Sequence, residues 1–264
     1  MITVVVPVLN QLKMTNQFLR HILNNVVLPK EIILIDNGST DNIRKSARKF
    51  GKVLPITYVR YKKNMGVNYA WRDGINRAKT DLICVLNNDI IINKFFFKKI
   101  IETANINNNF GVICGTTLKT VKAVTKNTKD EPVKFIEGGM KKGGEGWAYT
   151  IRKDLRDKIP PIPNFLENYY GDYYYFLCSK LLGYKNIKIL NNNLFHHGSV
   201  TVLARYKRPK NTSRRGEQNK WIKHRATLIE KYTGKPPEKV IRKRKKKKKR
   251  KIKGKKLWVI FLMI

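Results

Sequence analysis

The sequence predicts an α/β fold: a mostly parallel sheet flanked by helices, followed by a basic C-terminal tail. Residues 2–9, 31–36, 56–61 and 81–86 are short apolar runs separated by stretches of helical periodicity. Apolar runs without polar alternation are strands buried on both faces, as in a parallel sheet covered by helices. Two of these runs finish in polar residues, at Asp36 and at Asn87-Asn88-Asp89. They lie where open α/β sheets bind their ligands.

In chain order, residues 2–9 form the first strand; Pro7 removes its end from regular pairing, and Asn10-Gln11 open a loop. Residues 14–27 place Met14, Phe18, Leu19, Ile22, Leu23 and Val26 on one helical face, with Thr15 or Asn16 as cap and Pro29 as stop. Residues 31–36 are the second strand. Asn37-Gly38-Ser39-Thr40-Asp41 is a dense turn, and Asp41 suits the N-cap of a basic helix over 42–50. A third strand spans 56–61, an Asn/Gly turn follows at 64–68, and a helix over 69–78 packs through Ala70, Trp71, Ile75 and Ala78. The strand over 81–86 completes β-α-β-α-β-α-β, which implies a parallel sheet with right-handed crossovers.

Beyond residue 94, Phe95-Phe96-Phe97 with Ile100 and Ile101 predict a helix on the sheet, 110–117 a further strand, and 120–131 a lysine-rich loop. Glycines from 138 to 146 lead to an aromatic pair, Trp147 and Tyr149. Pro160, Pro161 and Pro163 form a rigid turn; a helix over 173–182 is closed by Gly183; 187–190 is a last strand, followed by His196-His197-Gly198-Ser199. A terminal helix over 206–234 presents Trp221, Ile222, Leu228, Ile229 and Tyr232. The chain thus divides into 1–92, 93–205, the helix over 206–234 and a solvated tail over 235–264.

A chain of 264 residues with 42% hydrophobic content can bury a substantial core. Of its formal charge of +38, residues 235–256 carry a dense local share, with 15 Lys and Arg against one Glu, and the other residues still carry +24. Such a surface favours nucleotide phosphates, nucleic acid, acidic glycans or an anionic membrane face, and does not choose between them. Cys84, Cys114 and Cys178 are widely spaced with no CxxC pair, which predicts buried thiols in a reducing, cytoplasmic compartment. The N-terminus reads as a strand rather than a signal peptide, and no run approaches the roughly 20 apolar residues that span a bilayer. The lysine run with apolar residues 257–264 is either a solvated tail or a peripheral contact to an anionic membrane face.

Asn88 and Asp89 either cap a helix starting near Asn93 or place a carboxylate for chemistry at a strand end. Asp36 reaches the same edge, and this convergence favours chemistry. The ordered set Val4-Val5-Val6-Pro7-Val8-Leu9-Asn10, Ile35-Asp36-Asn37-Gly38-Ser39-Thr40-Asp41, Asn64-Met65-Gly66, Leu86-Asn87-Asn88-Asp89, Gly171-Asp172 and His196-His197-Gly198-Ser199 resembles the family 2 glycosyltransferases, the inverting GT-A fold, over about residues 1–205.

The resemblance implies a GT-A-type, Rossmann-like sheet, with 1–92 as nucleotide-binding half and 93–205 as acceptor-binding half. It implies a hexosyltransferase that moves a sugar from a UDP-, GDP- or dTDP-sugar to a glycan, lipid-linked or protein acceptor hydroxyl. A divalent cation, Mn²⁺ or Mg²⁺, would neutralise the leaving diphosphate as a Lewis acid. Such cations take carboxylate oxygens, and Mn²⁺ also accepts imidazole. The family's D-x-D-like motif reads Asn87-Asn88-Asp89 here. Asp89 is then the implied metal ligand, with Asn87 and Asn88 beside the ribose or sugar, and the first aspartate is missing. His196 or His197 would complete the metal site, His196 first because Phe195-His196 continues the strand; a surface pair is the alternative. Pro7, Val8, Asn10, Asp36, Asn64 and Gly66 would shape the nucleotide pocket, although Asn64 and Gly66 also read as a plain turn.

Inversion requires a carboxylate to accept the acceptor's proton. Asp172 matches, in a Gly171-Asp172 pair where the family usually has two acids; a helix N-cap is the weaker alternative, and Glu167 is the fallback base. Trp147 and Tyr149 either stack on an acceptor sugar or belong to the core. The competing reading is a basic nucleic-acid- or polyanion-binding protein without catalysis. No recognisable binding module accompanies that charge, so no specific nucleic acid is expected.

Overall fold

The computed structural model describes residues 1–126, 129–138, 146–198 and 214–235. Strands β1 (Ile2–Val8), β2 (Glu31–Asp36), β3 (Ile56–Arg60) and β4 (Leu82–Leu86) alternate with helices α1 (Leu12–Leu23), α2 (Ile43–Phe50) and α3 (Val67–Arg77). They pair in the order β3-β2-β1-β4, all parallel. Pro7 pairs with Ile35 of β2, while the β4 side of β1 is paired only as far as Val5↔Val85. That matches a residue with no N–H to give.

The rest of the chain adds β5 (Ile90–Ile92), α4 (Phe96–Ile106), β6 (Phe110–Thr117), α5 (Val121–Thr125), β7 (Phe135–Glu137), β8 (Ala148–Arg152), α6 (Lys153–Lys158), α7 (Gly171–Leu181), β9 (Lys185–His196) and α8 (Arg214–Thr233). β8 inserts antiparallel between β4 and β6, β9 runs parallel to β6, and β5 and β7 both pair antiparallel with β9. The sheet is therefore parallel in its first half and mixed in its second.

The strands are apolar throughout because both faces are covered. Val4, Val6 and Val8 meet Phe18, Leu19 and Ile22 of α1, Phe50 of α2 and Phe97 of α4. Val5, Ile33, Ile35, Ile83 and Val85 face the other way, onto Trp71 and Ile75 of α3, Tyr174 and Tyr175 of α7, and Trp221 and Leu228 of α8. The three cysteines are buried.

Several boundaries differ from the sequence reading. α1 spans 12–23 instead of 14–27, and α5 stands inside the segment expected as a loop. β9 runs for 12 residues where four were expected, because its polar Asn191, Asn192 and Asn193 hide a strand in the sequence. β8 and α6 were not foreseen. The expected lysine tail, the apolar residues 257–264 and the first part of the terminal helix lie outside the described residues. Among the described residues, no helix is long and apolar enough to cross a membrane.

The chain leaves β1 toward β2 and β3, then returns on the other side of β1 as β4. At such a reversal, beyond the carboxyl ends of the strands on either side of it, here β1 and β4, open α/β sheets bind their ligands. The Asn87-Asn88-Asp89 segment follows β4 directly, and Asn10 lies just past the end of β1, after Leu9.

Candidate active site

The β1 and β2 ends are bound into one rigid loop system. Asn10 adopts a left-handed backbone (φ 59°), is almost fully buried, and its Oδ1 accepts from Thr40 N (2.7 Å), Thr40 Oγ1 (3.0 Å) and Asp41 N (3.0 Å). Its own N–H donates to Ser39 Oγ at 2.8 Å. Pro7 and Val8 pair with Ile35 and Asp36, and Val8 O accepts from Asn37 N (2.7 Å). Asp41 does not cap the following helix. Its Oδ2 accepts from Leu12 N (3.0 Å), at the start of α1, while Asn42 caps α2 through Lys45 N (3.2 Å).

Asp36 has no solvent exposure. Its carboxylate accepts from Ser39 N (2.8 Å), Tyr58 OH (2.6 Å) and Arg60 Nη1 (2.6 Å). In the protein alone these groups occupy it fully, so it shapes the loop that carries Asn10. Asp36→Ala is expected to lower stability by roughly 2–4 kcal/mol in urea denaturation, because buried donors lose their acceptor. Arg60→Ala should lose less, since Arg60 is 41% exposed and Asp36 keeps Ser39 N and Tyr58 OH as donors. Equal losses would locate the energy in the ion pair rather than in the loop.

Asn64 and Gly66 belong to the same system. Asn64 Oδ1 accepts from Asn37 Nδ2 (3.0 Å) and Gly66 N (2.9 Å). Gly66 has φ +89°, and a Cβ there would sit 2.5 Å from Glu167 O. The position needs glycine both for its backbone and for the close approach of the 167 loop.

The β4 end carries a cluster of buried polar atoms that make no hydrogen bond among the described residues. Asn87 Oδ1, Asp89 Oδ1, His196 Nε2 and Trp147 Nε1 are all buried and make no hydrogen bond. Asp89 Oδ2 lies 3.2 Å from His196 Nε2, with both side chains under a tenth exposed. Trp147 stacks on His196 (4.4 Å between centroids, 12° between planes), and its carbonyl accepts from Asn87 N (3.0 Å). Asn88 instead points to α1, donating to Thr15 Oγ1 at 2.9 Å. His197 is exposed and packs edge-on against Phe195 (5.0 Å), so of the two histidines His196 is the one that faces Asp89. Neither Asn88 nor Asp89 caps α4, since β5 intervenes and Asn93 Oδ1 accepts from Phe95 N (2.8 Å) at that helix start.

Asp172 stands in the first turn of α7, whose N-cap is Tyr170 in a left-handed conformation (φ 65°). The capping alternative for Asp172 therefore falls. The carboxylate lies against Gly146, where a Cβ would overlap it. Loss of solvent pushes its pKa up to about 6, partly offset by the backbone N–H groups of Tyr173 and Asp172 itself. Gly146-Trp147 thus joins the two parts of the site, with Asp172 on the glycine and His196 on the indole. Tyr149 is core: it is buried and meets Trp71 edge-on at 5.7 Å.

Sequence reasoning missed Trp147 as a wall of this cluster, Tyr58 and Arg60 as partners of Asp36, and two residues around the 167 loop, Asn68 and Glu217. Only the Gly-Trp step carried a signal, as an aromatic placed directly after a glycine-rich stretch.

The model of the family described as glycosyl transferase family 2 matches residues 3–163. An uncharacterized glycosyltransferase, YfnE, of Bacillus subtilis (strain 168) is 28% identical over 91 residues, 34% of this chain and 23% of its own length. Chondroitin synthase of Escherichia coli is 28% identical over 114 residues, 42% of this chain and 17% of its own length. The aligned part thus spans less than a quarter of either relative. Among solved structures, S. aureus TarS 1-349 in complex with UDP-GlcNAc superposes with a TM-score of 0.63 at 14% identity, covering 88% of this chain and 71% of that one. Mannosyltransferase PcManGT from Pyrobaculum calidifontis, in complex with GDP-Man and Mn²⁺, gives a TM-score of 0.61 at 12% identity, covering 88% and 73%. At such identities the likeness shows the shared GT-A fold.

Proposed function

The chain belongs to glycosyl transferase family 2, and we propose that it moves a sugar from a nucleoside diphosphate sugar to an acceptor hydroxyl with inversion. The observation that carries this reading is the partnerless polar cluster Asn87, Asp89, Trp147 and His196 at the β1/β4 crevice, with Asp172 reached through Gly146. Buried polar atoms without partners are costly in a bare protein, so a cluster of them at a ligand crevice is a site built for an occupant.

Asn10, Asp36, Asn64 and Gly66 hold the loops that would wall the nucleotide, with Pro7 and Val8 beneath. Asn87 Oδ1 would meet the ribose or sugar. The residues present fit a divalent cation: Asp89 offers a carboxylate oxygen and His196 an imidazole nitrogen 3.2 Å away, both without other partners. That donor pair suits Mn²⁺. Among the described residues no third His, Cys, Asp or Glu joins them, which leaves the other positions to donor phosphate oxygens and water. A bound cation would act there as a Lewis acid on the leaving diphosphate. Asp172, held as a proton acceptor with its pKa near neutrality, would take the acceptor hydroxyl's proton as the sugar is transferred.

The neighbours solved with UDP-GlcNAc and with GDP-Man support a nucleotide-sugar donor. The acceptor would be a glycan, lipid-linked or protein hydroxyl in the cytoplasm or at its membrane face. The test is direct: incubate the purified chain with Mn²⁺ and a panel of UDP-, GDP- and dTDP-sugars, and measure nucleoside diphosphate release. Release from one donor is expected. No release from any, together with tight salt-sensitive DNA binding, would overturn the reading in favour of polyanion binding.

A further inference from the structure

The proposed base follows a loop that is gripped from both sides, and one of the grips comes from the C-terminal helix. Glu217, in the first turn of α8, is 2% exposed. Its carboxylate accepts from three consecutive backbone N–H groups: Glu167 (3.1 Å), Asn168 (3.1 Å) and Tyr169 (2.9 Å). On the opposite side, Asn68 of α3 takes the same segment by its carbonyls. Asn68 N donates to Glu167 O (2.9 Å) and Asn68 Nδ2 to Tyr169 O (2.9 Å). Tyr170 then turns left-handed, and Asp172 follows in the first turn of α7.

We propose that Glu217 is a positioning residue: its carboxylate fixes the 167–169 segment against Asn68 and so sets where Asp172 stands. This rests on the reading of Asp172 as the base. Attachment of α8 to the body needs no buried charge, because Trp221 and Leu228 already sit in the core and Trp221 stacks on Tyr170 (6.2 Å, 12°). A buried carboxylate is poor value as a stabiliser, but three charge-assisted hydrogen bonds in a row define a backbone path closely. The clamped segment also touches Gly66, so the grip joins the donor-side loop to the base. α8 lies outside the residues that the family model matches, which makes this a contribution of the chain's own C-terminal helix.

The experiment compares Glu217→Gln, Asn68→Ala and Leu228→Ala with the wild type, reading Tm, kcat and the acid limb of kcat/KM. Glutamine is isosteric, but it removes the charge and turns an N–H₂ group toward backbone donors. Glu217→Gln is expected to lower kcat by about 10- to 100-fold, the range for a small displacement of a reacting group. It should also move the acid limb to lower pH, as water reaches Asp172. Asn68→Ala, the opposite jaw, should give the same signature and reads the proposal if Glu217→Gln does not fold. Leu228→Ala should lower Tm while kcat and the acid limb stay put, since it loosens α8 without touching the clamp. A Glu217→Gln or Asn68→Ala enzyme with reduced Tm but wild-type kcat and limb would overturn the proposal. Should Asp172→Asn retain turnover, the base reading itself fails, and that result is distinct from failure of the clamp.

Discussion

Asp89→Ala is expected to reduce kcat/KM by about 10³-fold or more while leaving the fold nearly unchanged. The rate figure follows from removing one of the two proposed protein ligands to a Lewis acid that would offset several kcal/mol of leaving-group charge. The stability figure follows from what Asp89 does in the protein alone. Its Oδ1 has no partner, and Oδ2 meets only His196. The edge of the sheet is held there by its backbone carbonyl, which accepts from His197 N (3.0 Å), and alanine keeps that bond. Mn²⁺ binding in the presence of UDP, measured by calorimetry, should weaken in parallel. His196→Ala should also impair turnover, with an added loss of order at Trp147, which loses its stacking partner. His197→Ala should behave as wild type, because its ring packs on Phe195 away from the cluster. Unchanged turnover of Asp89→Ala would sink the metal assignment, whatever the other variants do.

The first four strands were legible because each is buried on both faces, so a bare apolar run announces it. Those runs also fix the crevice, since β1 and β4 end in Asn10 and Asn87-Asn88-Asp89. What sequence could not show is register. Trp147 becomes a wall of the site only because Ala148 pairs with Leu86, which carries the indole past Asn87 and onto His196. The strand that does this is five residues long and follows glycines, so no periodicity marks it. Asp41 was misread for a related reason. Its carboxylate stands next to one helix in sequence and caps another, α1, 29 residues away. Glu217 lies about 50 residues from the loop it holds, inside a helix whose surroundings in sequence are basic. Local pattern finds the scaffold and the strand ends. The contacts that orient a side chain across the sheet have no local signature.

Asp172→Asn should lower turnover by roughly 10²–10⁴-fold, the usual range for losing a general base, and should at the same time make the protein more stable at neutral pH. Both effects come from one cause. Burial raises the Asp172 pKa from 3.8 to about 6, so the folded protein holds this proton more tightly than the unfolded chain does. Between those values the folded state binds more protons, and stability falls as pH rises through the window. The full difference is up to about 3 kcal/mol, reduced to the extent that water reaches the half-buried carboxylate. Catalysis runs the other way, since only the ionised carboxylate accepts a proton. Wild-type kcat/KM should drop tenfold per pH unit below about 6, and the small residual rate of Asp172→Asn should show no such limb. Urea denaturation should find the variant more stable than wild type at pH 7.5, with the difference lost as pH falls well below 3.8, where both carry a neutral side chain in the folded and the unfolded state. With Asp172 as the proposed base, the ionised, destabilised form would be the active one. A wild-type acid limb near 4, or a variant with no gain in stability at pH 7.5, would mean that Asp172 is solvated in solution and not held as a base.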